Sequence, residues 1–421
     1  MSYNPFISTT DNGREYLTSN CSLNKVKLAK LPVYGIEDSI EGKSMSELFG
    51  AGIIIDEIKG SASSLGINLA DYKEMDLPKV LDMKINEGNE EALRIARKYG
   101  NRLGMLLLVL KTGLYENRLA REDWDEFHWE YWKNIKTIYL AGGLASGRLG
   151  EYMLEVVREL FEKADVPMYR IVRNTNGSEI GAKGCLTQLT DDNDVHILFD
   201  LGQTKIKRII AVRRYQDHSV NDTTSENITY ENSTYENSDS NNAFSDNGQG
   251  DVEKENSSEP CAEGHRVIND GSDDDFDKEF RLIKLPSRKS INMEWYIEDE
   301  NERRRQAEEL HYYIVDSIVD TYNEALQYGP IRWEIVISIA SYVMDGKVHY
   351  ARSGYAKLCM LSDNYAGYLA AELERRLNRK LLIQLVHDGT AASLYFKGAK
   401  NAVCITAGTA FGVGFPEIQL M

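Results

Sequence analysis

No CxxC pair occurs in this 421-residue chain, and its five cysteines (Cys21, Cys185, Cys261, Cys359 and Cys404) lie far apart. An odd, scattered set argues against a disulfide framework and a cysteine zinc site, and for free thiols in a reducing cytoplasm. Long apolar runs are missing too. Met105 to Leu110 falls far short of the roughly 20 residues that a membrane-spanning helix needs. No basic-plus-apolar leader stands at Met1, so neither export nor a membrane partner is expected. A basic surplus is also absent. The net charge is −17, but Gln216 to Phe280 holds 18 Asp or Glu against 3 Lys or Arg, which accounts for −15 of it. The remainder is close to neutral, so no basic face points to nucleic acid. The acidic stretch is dominated by Asn, Ser, Asp and Glu and repeats TYENS in tandem. It cannot bury enough apolar surface to offset the entropy of ordering, and disorder is expected for residues 216–280.

Over the whole chain 42% of the residues are apolar, enough for two domains with real cores. Residues 1 to about 45 show little periodicity. Ser46 to Ile58 and Leu77 to Ile85 suit short helices. From Asn89 to Thr112 the residues Ala92, Ile95, Ala96, Tyr99, Leu103, Leu106, Leu107 and Leu110 recur at helical spacing. A Trp-rich connection leads to a strand at Thr137 to Leu140, a helix near Leu149 to Lys163, a strand at Met168 to Val172 and a helix at Ser178 to Leu189. His196 to Phe199 and Ile209 to Val212 read as a hairpin. After the acidic stretch come a strand at Arg281 to Pro286, a long helix near Glu300 to Gln327, a strand at Ile331 to Ile339 and a hairpin at Tyr342 to Tyr350. A helix at Tyr365 to Leu377 precedes apolar strands at Leu381 to Val386 and Ala402 to Thr406. Strands and helices alternate throughout, so the fold class is α/β.

Three of these strands end in glycine-bearing turns: Ala141-Gly142-Gly143-Leu144-Ala145-Ser146-Gly147, Asp200-Leu201-Gly202-Gln203-Thr204-Lys205, and Ala407-Gly408-Thr409-Ala410-Phe411-Gly412. A fourth ends in His387-Asp388-Gly389-Thr390. Taken singly, a glycine pair is ordinarily a tight turn and a strand-end Asp a cap. Together they supply what phosphoryl transfer needs. Backbone N–H groups at Gly202, Thr204, Gly408, Thr409 and Gly412 suit a phosphate cradle, with Gly142 and Gly143 at the nucleotide's other end. A carboxylate at Asp200 suits Mg²⁺ through water. Asp388 suits the base that takes a proton from an acceptor hydroxyl.

At these residues the chain resembles a known family. DLGQTK is similar to the first phosphate motif of the actin-like ATPase superfamily, and in detail to that of the ROK (repressor, open reading frame, kinase) sugar kinases. VISIASYVMDGKVHYARSGYAKL resembles the segment before the ROK acceptor site. LNRKLLIQLVHDGTAASLY resembles the strand and helix that carry the catalytic aspartate, and ITAGTAFGVGF the second phosphate motif. EGNEEALRIARKYGNRLG with IYLAGGLASG is similar to the adenosine-side elements, and SEIGAKGCL to the closing helix.

The motif order differs from the family's, since the adenosine motif comes first here and the phosphate-2 motif last. The resemblance therefore implies a circular permutation of two ribonuclease-H-like domains around a cleft. Residues 1–188 with 398–421 would form the nucleotide-side domain, and residues 189–397 the domain carrying phosphate-1 and the catalytic Asp, with the acidic insertion inside it.

The resemblance further implies ATP and Mg²⁺ as cofactors and a hexose or related sugar as substrate. Asp388 would be catalytic and Asp200 the metal-side carboxylate. Gly202, Gln203, Thr204, Lys205, Gly408, Thr409, Gly412, Gly142 and Gly143 would bind the nucleotide, Lys205 adding positive charge near the phosphates. Three departures stand out. Gln203 replaces the usual second glycine, and His387 replaces the usual Asn, where it would contact a sugar hydroxyl. Residues 1–60 contain no His and one Cys, so the family's zinc cluster is not expected. No helix-turn-helix precedes the kinase-like part, which disfavours the repressor branch. Oligomeric state stays open, although dimers are common in that family. The rival reading is a regulatory protein that binds nucleotide or sugar on the same fold without turnover.

Overall fold

A computed structural model describes residues 3–36, 39–175, 177–189, 195–214, 279–294, 296–349 and 354–419. The acidic stretch, apart from Glu279 and Phe280, and the end of the Tyr342 to Tyr350 hairpin lie outside the described residues.

In chain order the strands are β1 (Ile7–Thr9), β2 (Glu15–Leu17), β3 (Thr137–Ala141), β4 (Arg170–Arg173), β5 (His196–Leu201), β6 (Lys205–Arg213) and β7 (Phe280–Lys289). They continue with β8 (Glu334–Ile339), β9 (Val343–Met344), β10 (Lys347–Val348), β11 (Leu382–His387), β12 (Ala402–Ala407) and β13 (Phe411–Gly414). Nine of them build two mixed sheets, ordered β13-β12-β3-β4 and β11-β8-β5-β6-β7. The chain is thus mixed α/β.

The two sheets share a plan. Each starts from an antiparallel hairpin, β12–β13 or β5–β6. The first strand of that hairpin pairs in parallel with a second strand, β3 or β8, which pairs in parallel with a third, β4 or β11. The second sheet adds β7 as an antiparallel edge. After the third strand each series ends in a short helix, Ile180–Leu186 after β4 and Asp388–Leu394 after β11.

These helices are exchanged between the sheets. Ile180–Leu186 lies against β5 and β8, while Asp388–Leu394 lies against β12 and β13. Where they cross, backbone meets backbone. A Cβ on Gly184 would come within 1.7 Å of the Ala391 carbonyl oxygen, and one on Gly389 within 2.1 Å of the Val413 carbonyl oxygen. Any side chain there would push the sheets apart.

One buried apolar cluster surrounds the first sheet and draws on Phe6 to Tyr169 together with Val403 to Phe415. Another surrounds the second sheet and draws on Val195 to Leu385. Long amphipathic helices supply both: Glu90–Thr112 and Arg148–Ala164 for the first, Glu300–Ala325 and Tyr365–Leu377 for the second. Among the described residues no helix is long and apolar enough to cross a membrane. Both sheets belong to one compact unit, Met1–Arg214 with Val267–Met421.

Four local expectations need adjustment. The first 45 residues, aperiodic in sequence, are threaded through the core: Phe6, Leu17, Cys21, Leu23, Val26, Leu28 and Ile40 are buried. They do this through single turns and 3-10 segments, which leave no periodic trace. Ser46 to Ile58 is two helices, Met45–Leu48 and Ala51–Gly60, broken at Gly50. Trp129 and Trp132 sit on a helix, Glu126–Asn134, and not in a connection. The strand expected from Ile331 begins at Glu334.

The crossing gives a sign test. Gly184→Ala should destabilise the protein by about 2 kcal/mol, overpacking outweighing the helix propensity gained. Gly52→Ala, in an exposed helical position with open space around it, should stabilise by up to about 1 kcal/mol. Urea midpoints at constant slope read both; equal midpoints for the two variants would contradict the packing described.

Candidate active site

Asp200 stands one residue before the end of β5, in register with Lys207 on β6 and Ser338 on β8. Residues paired across adjacent strands share a face, so the three side chains meet. Ser338 Oγ donates to Asp200 Oδ1 at 2.9 Å, and Lys207 Nζ pairs with Oδ2 at 2.5 Å. The carboxylate is buried, and the Ile180–Leu186 helix comes down on it: a Cβ on Gly181 would lie 3.4 Å from Ser338 Oγ and 3.8 Å from the Asp200 carboxyl carbon. Lys205 lies on the same face of β6 two residues earlier, but the cation that reaches Asp200 is Lys207.

Asp388 opens the Asp388–Leu394 helix directly after β11. The Gly389 N–H donates to its Oδ1 at 2.7 Å, and His387 Nε2 lies 3.2 Å from the same oxygen. The Asp388 side chain keeps 37% of its surface open. Desolvation nevertheless pushes its pKa above the ordinary carboxylate value; His387 opposes this, nearby Asp200 adds to it and Lys207 opposes it. His387 caps the same helix, with Nδ1 accepting from the Thr390 N–H at 3.4 Å. Its ring stacks on Tyr342, centroids 4.5 Å apart and planes 10° from parallel. Tyr342 Oη lies 3.6 Å from Cys21 Sγ, and burial pushes that thiol up to about 12. Of the His387 ring nitrogens, Nδ1 is taken up by the Thr390 N–H, while Nε2 approaches Asp388 Oδ1 at 3.2 Å.

The third group is the β12–β13 turn. A Cβ on Gly412 would lie 3.8 Å from Asp388 Oδ1, so this strand passes directly beside the carboxylate. Asn24 fixes the edge of β13 from outside, donating to the Phe411 carbonyl at 2.8 Å and accepting from the Phe411 N–H at 2.9 Å. Gly408 is half-buried and Thr409 exposed. The Gly408 carbonyl accepts from the Ala51 N–H at 2.9 Å, at the start of the Ala51–Gly60 helix. Gly142, at φ 95°, packs on the backbone of Ala407, while Gly143 faces open space. The Gly142 and Gly408 turns are thus neighbours, and Gly412 connects them to Asp388 and on to Asp200.

The Gly202–Lys205 turn is braced separately. The Gly202 carbonyl accepts from Ser290 Oγ at 2.7 Å and Tyr355 Oη at 3.1 Å, and the Thr204 carbonyl accepts from the Ser290 N–H at 3.1 Å. Gln203 reaches toward Gly354, where an added Cβ would lie 3.3 Å from its amide nitrogen.

One helix end differs in detail from its expected use. The N-terminus of Arg148–Ala164, after the Gly142–Gly143 turn, already holds an anion of the chain itself. Asp82 Oδ1 accepts from the Leu149 N–H at 2.7 Å, and Oδ2 occupies the space beside Gly147. Arg173 ties the same loop through the Ser146 and Gly147 carbonyls.

Comparison with family models, with curated proteins and with solved structures finds no match. Among the described residues no three or more His, Cys, Asp or Glu side chains gather as a metal cage. A Mg²⁺ delivered with a triphosphate needs only one or two protein carboxylates, the other oxygens being phosphate and water. Asp200 suits that donor set once Lys207 yields Oδ2.

Sequence reasoning missed Lys207, Ser338, Tyr342, Asn24 and Asp82. The first two lie on strands beside β5, and only the register of β5 with β6 and β8 puts them on the Asp200 face. The others meet the site only through tertiary packing.

The raised Asp388 pKa has a stability consequence. A carboxyl whose folded pKa exceeds its unfolded one binds protons more tightly when folded. It costs stability above its unfolded pKa, and nothing where both states are protonated. Asp388→Asn removes that cost and keeps an oxygen for the Gly389 N–H. The variant should melt higher than wild type at pH 7, with the gain fading toward about pH 3. A variant that melts lower at pH 7 would contradict the burial of this charge.

Proposed function

We propose that this protein is an ATP- and Mg²⁺-dependent kinase that phosphorylates a hydroxyl of a hexose or related sugar. On this reading it consists of two actin-like ATPase domains in circularly permuted order, working in the cytoplasm. The observation that carries the reading is the convergence of two strand-end carboxylates, Asp200 and Asp388, beside the glycine turn of β12–β13. Two sheets of one plan, each ending in a helix that packs on the other, support the two-domain assignment. Free thiols at Cys21, Cys185, Cys359 and Cys404 accord with a reducing compartment.

Asp388 would accept the proton of the acceptor hydroxyl, which must be taken up as the oxygen attacks phosphorus. Its raised pKa makes it a stronger proton acceptor than an exposed aspartate, with enough exposure to meet a substrate. Asp200 would hold Mg²⁺, which supplies charge neutralisation on the triphosphate. Lys207, displaced from Asp200, remains beside the phosphates as a compact positive charge. Backbone N–H groups of Gly408, Thr409 and Gly412 on one turn, and of Gly202 and Thr204 on the other, would cradle the phosphates. Gly143, exposed beyond the buried Gly142, would meet the nucleoside.

A binding protein without turnover is the rival. The Lys207–Asp200 ion pair favours it, because it holds the metal-side carboxylate in a neutralised state. Coupled ADP release over a panel of hexoses and polyols separates the two. The kinase reading expects acceptor-dependent ADP. It also expects Asp388→Asn to lower kcat by at least ~100-fold, with the Kd for ATP within about threefold of wild type. Saturable ATP binding with no acceptor-dependent ADP would establish the rival instead.

A further inference from the structure

The N-terminal segment belongs to neither of the two large sheets, yet it grips the β12–β13 turn. Asn24 bonds both backbone groups of Phe411, donating to the carbonyl at 2.8 Å and accepting from the N–H at 2.9 Å. Phe49 stacks on the Phe411 ring, centroids 4.4 Å apart and planes 19° from parallel. The Ala51 N–H donates to the Gly408 carbonyl at 2.9 Å. Gly50 lies against the next carbonyl, since a Cβ there would come within 2.5 Å of the Thr409 oxygen. Its φ of 152° is a value that suits glycine alone. The grip is itself braced. Arg121 Nη2 and Trp124 Nε1 each donate to the Asn20 carbonyl at 2.7 Å, and Arg102 Nη1 donates to the Leu48 carbonyl at 2.7 Å. Fixing the carbonyls of the turn also fixes its opposite side. In a trans peptide unit the C=O and N–H point in opposite directions. With the Gly408 and Thr409 carbonyls turned toward Ala51 and Gly50, the N–H groups of Thr409 and Ala410 are turned away from that segment. Both residues are exposed, and among the described residues neither N–H has a hydrogen-bond partner. The Gly408 N–H, by contrast, is spent on the Ala410 carbonyl at 3.3 Å.

We propose that Asn24, Gly50 and Ala51 are positioning residues that hold the Thr409 and Ala410 N–H groups as a paired seat for a phosphate of the nucleotide. The inference rests on the kinase reading, which brings a triphosphate to this turn; it adds Ala410 as a donor and the N-terminal segment as what orients the pair. Successive N–H groups on one side of a turn form a concavity that suits an anion. A flip of either peptide unit would present a carbonyl oxygen in place of an N–H and repel the phosphate. The Ala51 hydrogen bond and the close approach of Gly50 exclude those flips, and Asn24 fixes the chain where the turn enters β13. None of the three needs to touch the nucleotide, because each acts through the backbone of the turn.

Nitrogen-15 NMR of the full chain, labelled at threonine and alanine, reads the seat directly, with the two signals assigned by their loss in Thr409→Ser and Ala410→Ser. In resting protein both N–H groups should exchange rapidly with solvent. Inorganic triphosphate and Mg²⁺–ATP, added separately, should each move both signals downfield in a saturable way. Asn24→Ala should weaken the binding of triphosphate and of ATP by ~10-fold, with adenosine affinity and thermal midpoint unchanged, a separation that a general loosening of the fold would not produce. Gly50→Ala should weaken triphosphate at least as much and should also melt lower, because alanine is strained at that φ. Signals of Thr409 and Ala410 that stay in place at saturating triphosphate, or an Asn24→Ala protein that binds triphosphate as wild type does, overturn the inference. Triphosphate probes the seat without turnover. A protein that seats it on these two amides, yet releases no acceptor-dependent ADP, would retain the positioning role while the kinase reading falls.

Discussion

The structure depends on one contact in which no side chain takes part. At the crossing of the Ile180–Leu186 and Asp388–Leu394 helices, Gly184 lies against the Ala391 backbone, and on the far side Gly389 lies against β13. Each helix begins where its own sheet ends and buries itself in the other. Asp200 is covered by a helix from the opposite sheet, and Asp388 is carried to the edge of β13 by the same exchange. The close approach at this crossing brings the two carboxylates into one neighbourhood.

That neighbourhood is electrostatically uneven. Asp200 is partnered on both oxygens, by a hydroxyl and an ammonium, whereas Asp388 is held by a backbone amide and stays partly open. Like charges brought close push the less well-partnered group toward protonation. On the proposed kinase reading, the better-partnered carboxylate would face the cation and Asp388 would exchange the proton.

How much of this could be read from the sequence depends on how each element is built. The Glu90–Thr112 and Arg148–Ala164 helices announce themselves by spacing, and β5, β11 and β12 by short apolar runs that break at Gly or Asp. Asp200, Asp388 and the glycine turns stand where those runs end, so the positions were legible. Their partners were not. Lys207 looks like one more charge on a strand until β5 and β6 are set in register. Tyr342 belongs to a hairpin whose Asp345-Gly346 turn is plain, yet its ring meets His387 only because β9 and β11 converge. Residues 3 to 45 bury Phe6, Cys21 and Leu23 through irregular turns, and irregular chain carries no period to detect.

Asp82 has a consequence for what could lie beyond Gly143. A helix end normally presents about half a positive charge to whatever approaches it, but here a carboxyl group from a neighbouring helix already accepts the Leu149 N–H at that end. A visitor to this rim would find that backbone donor taken and the space beside Gly147 filled by the same carboxyl group.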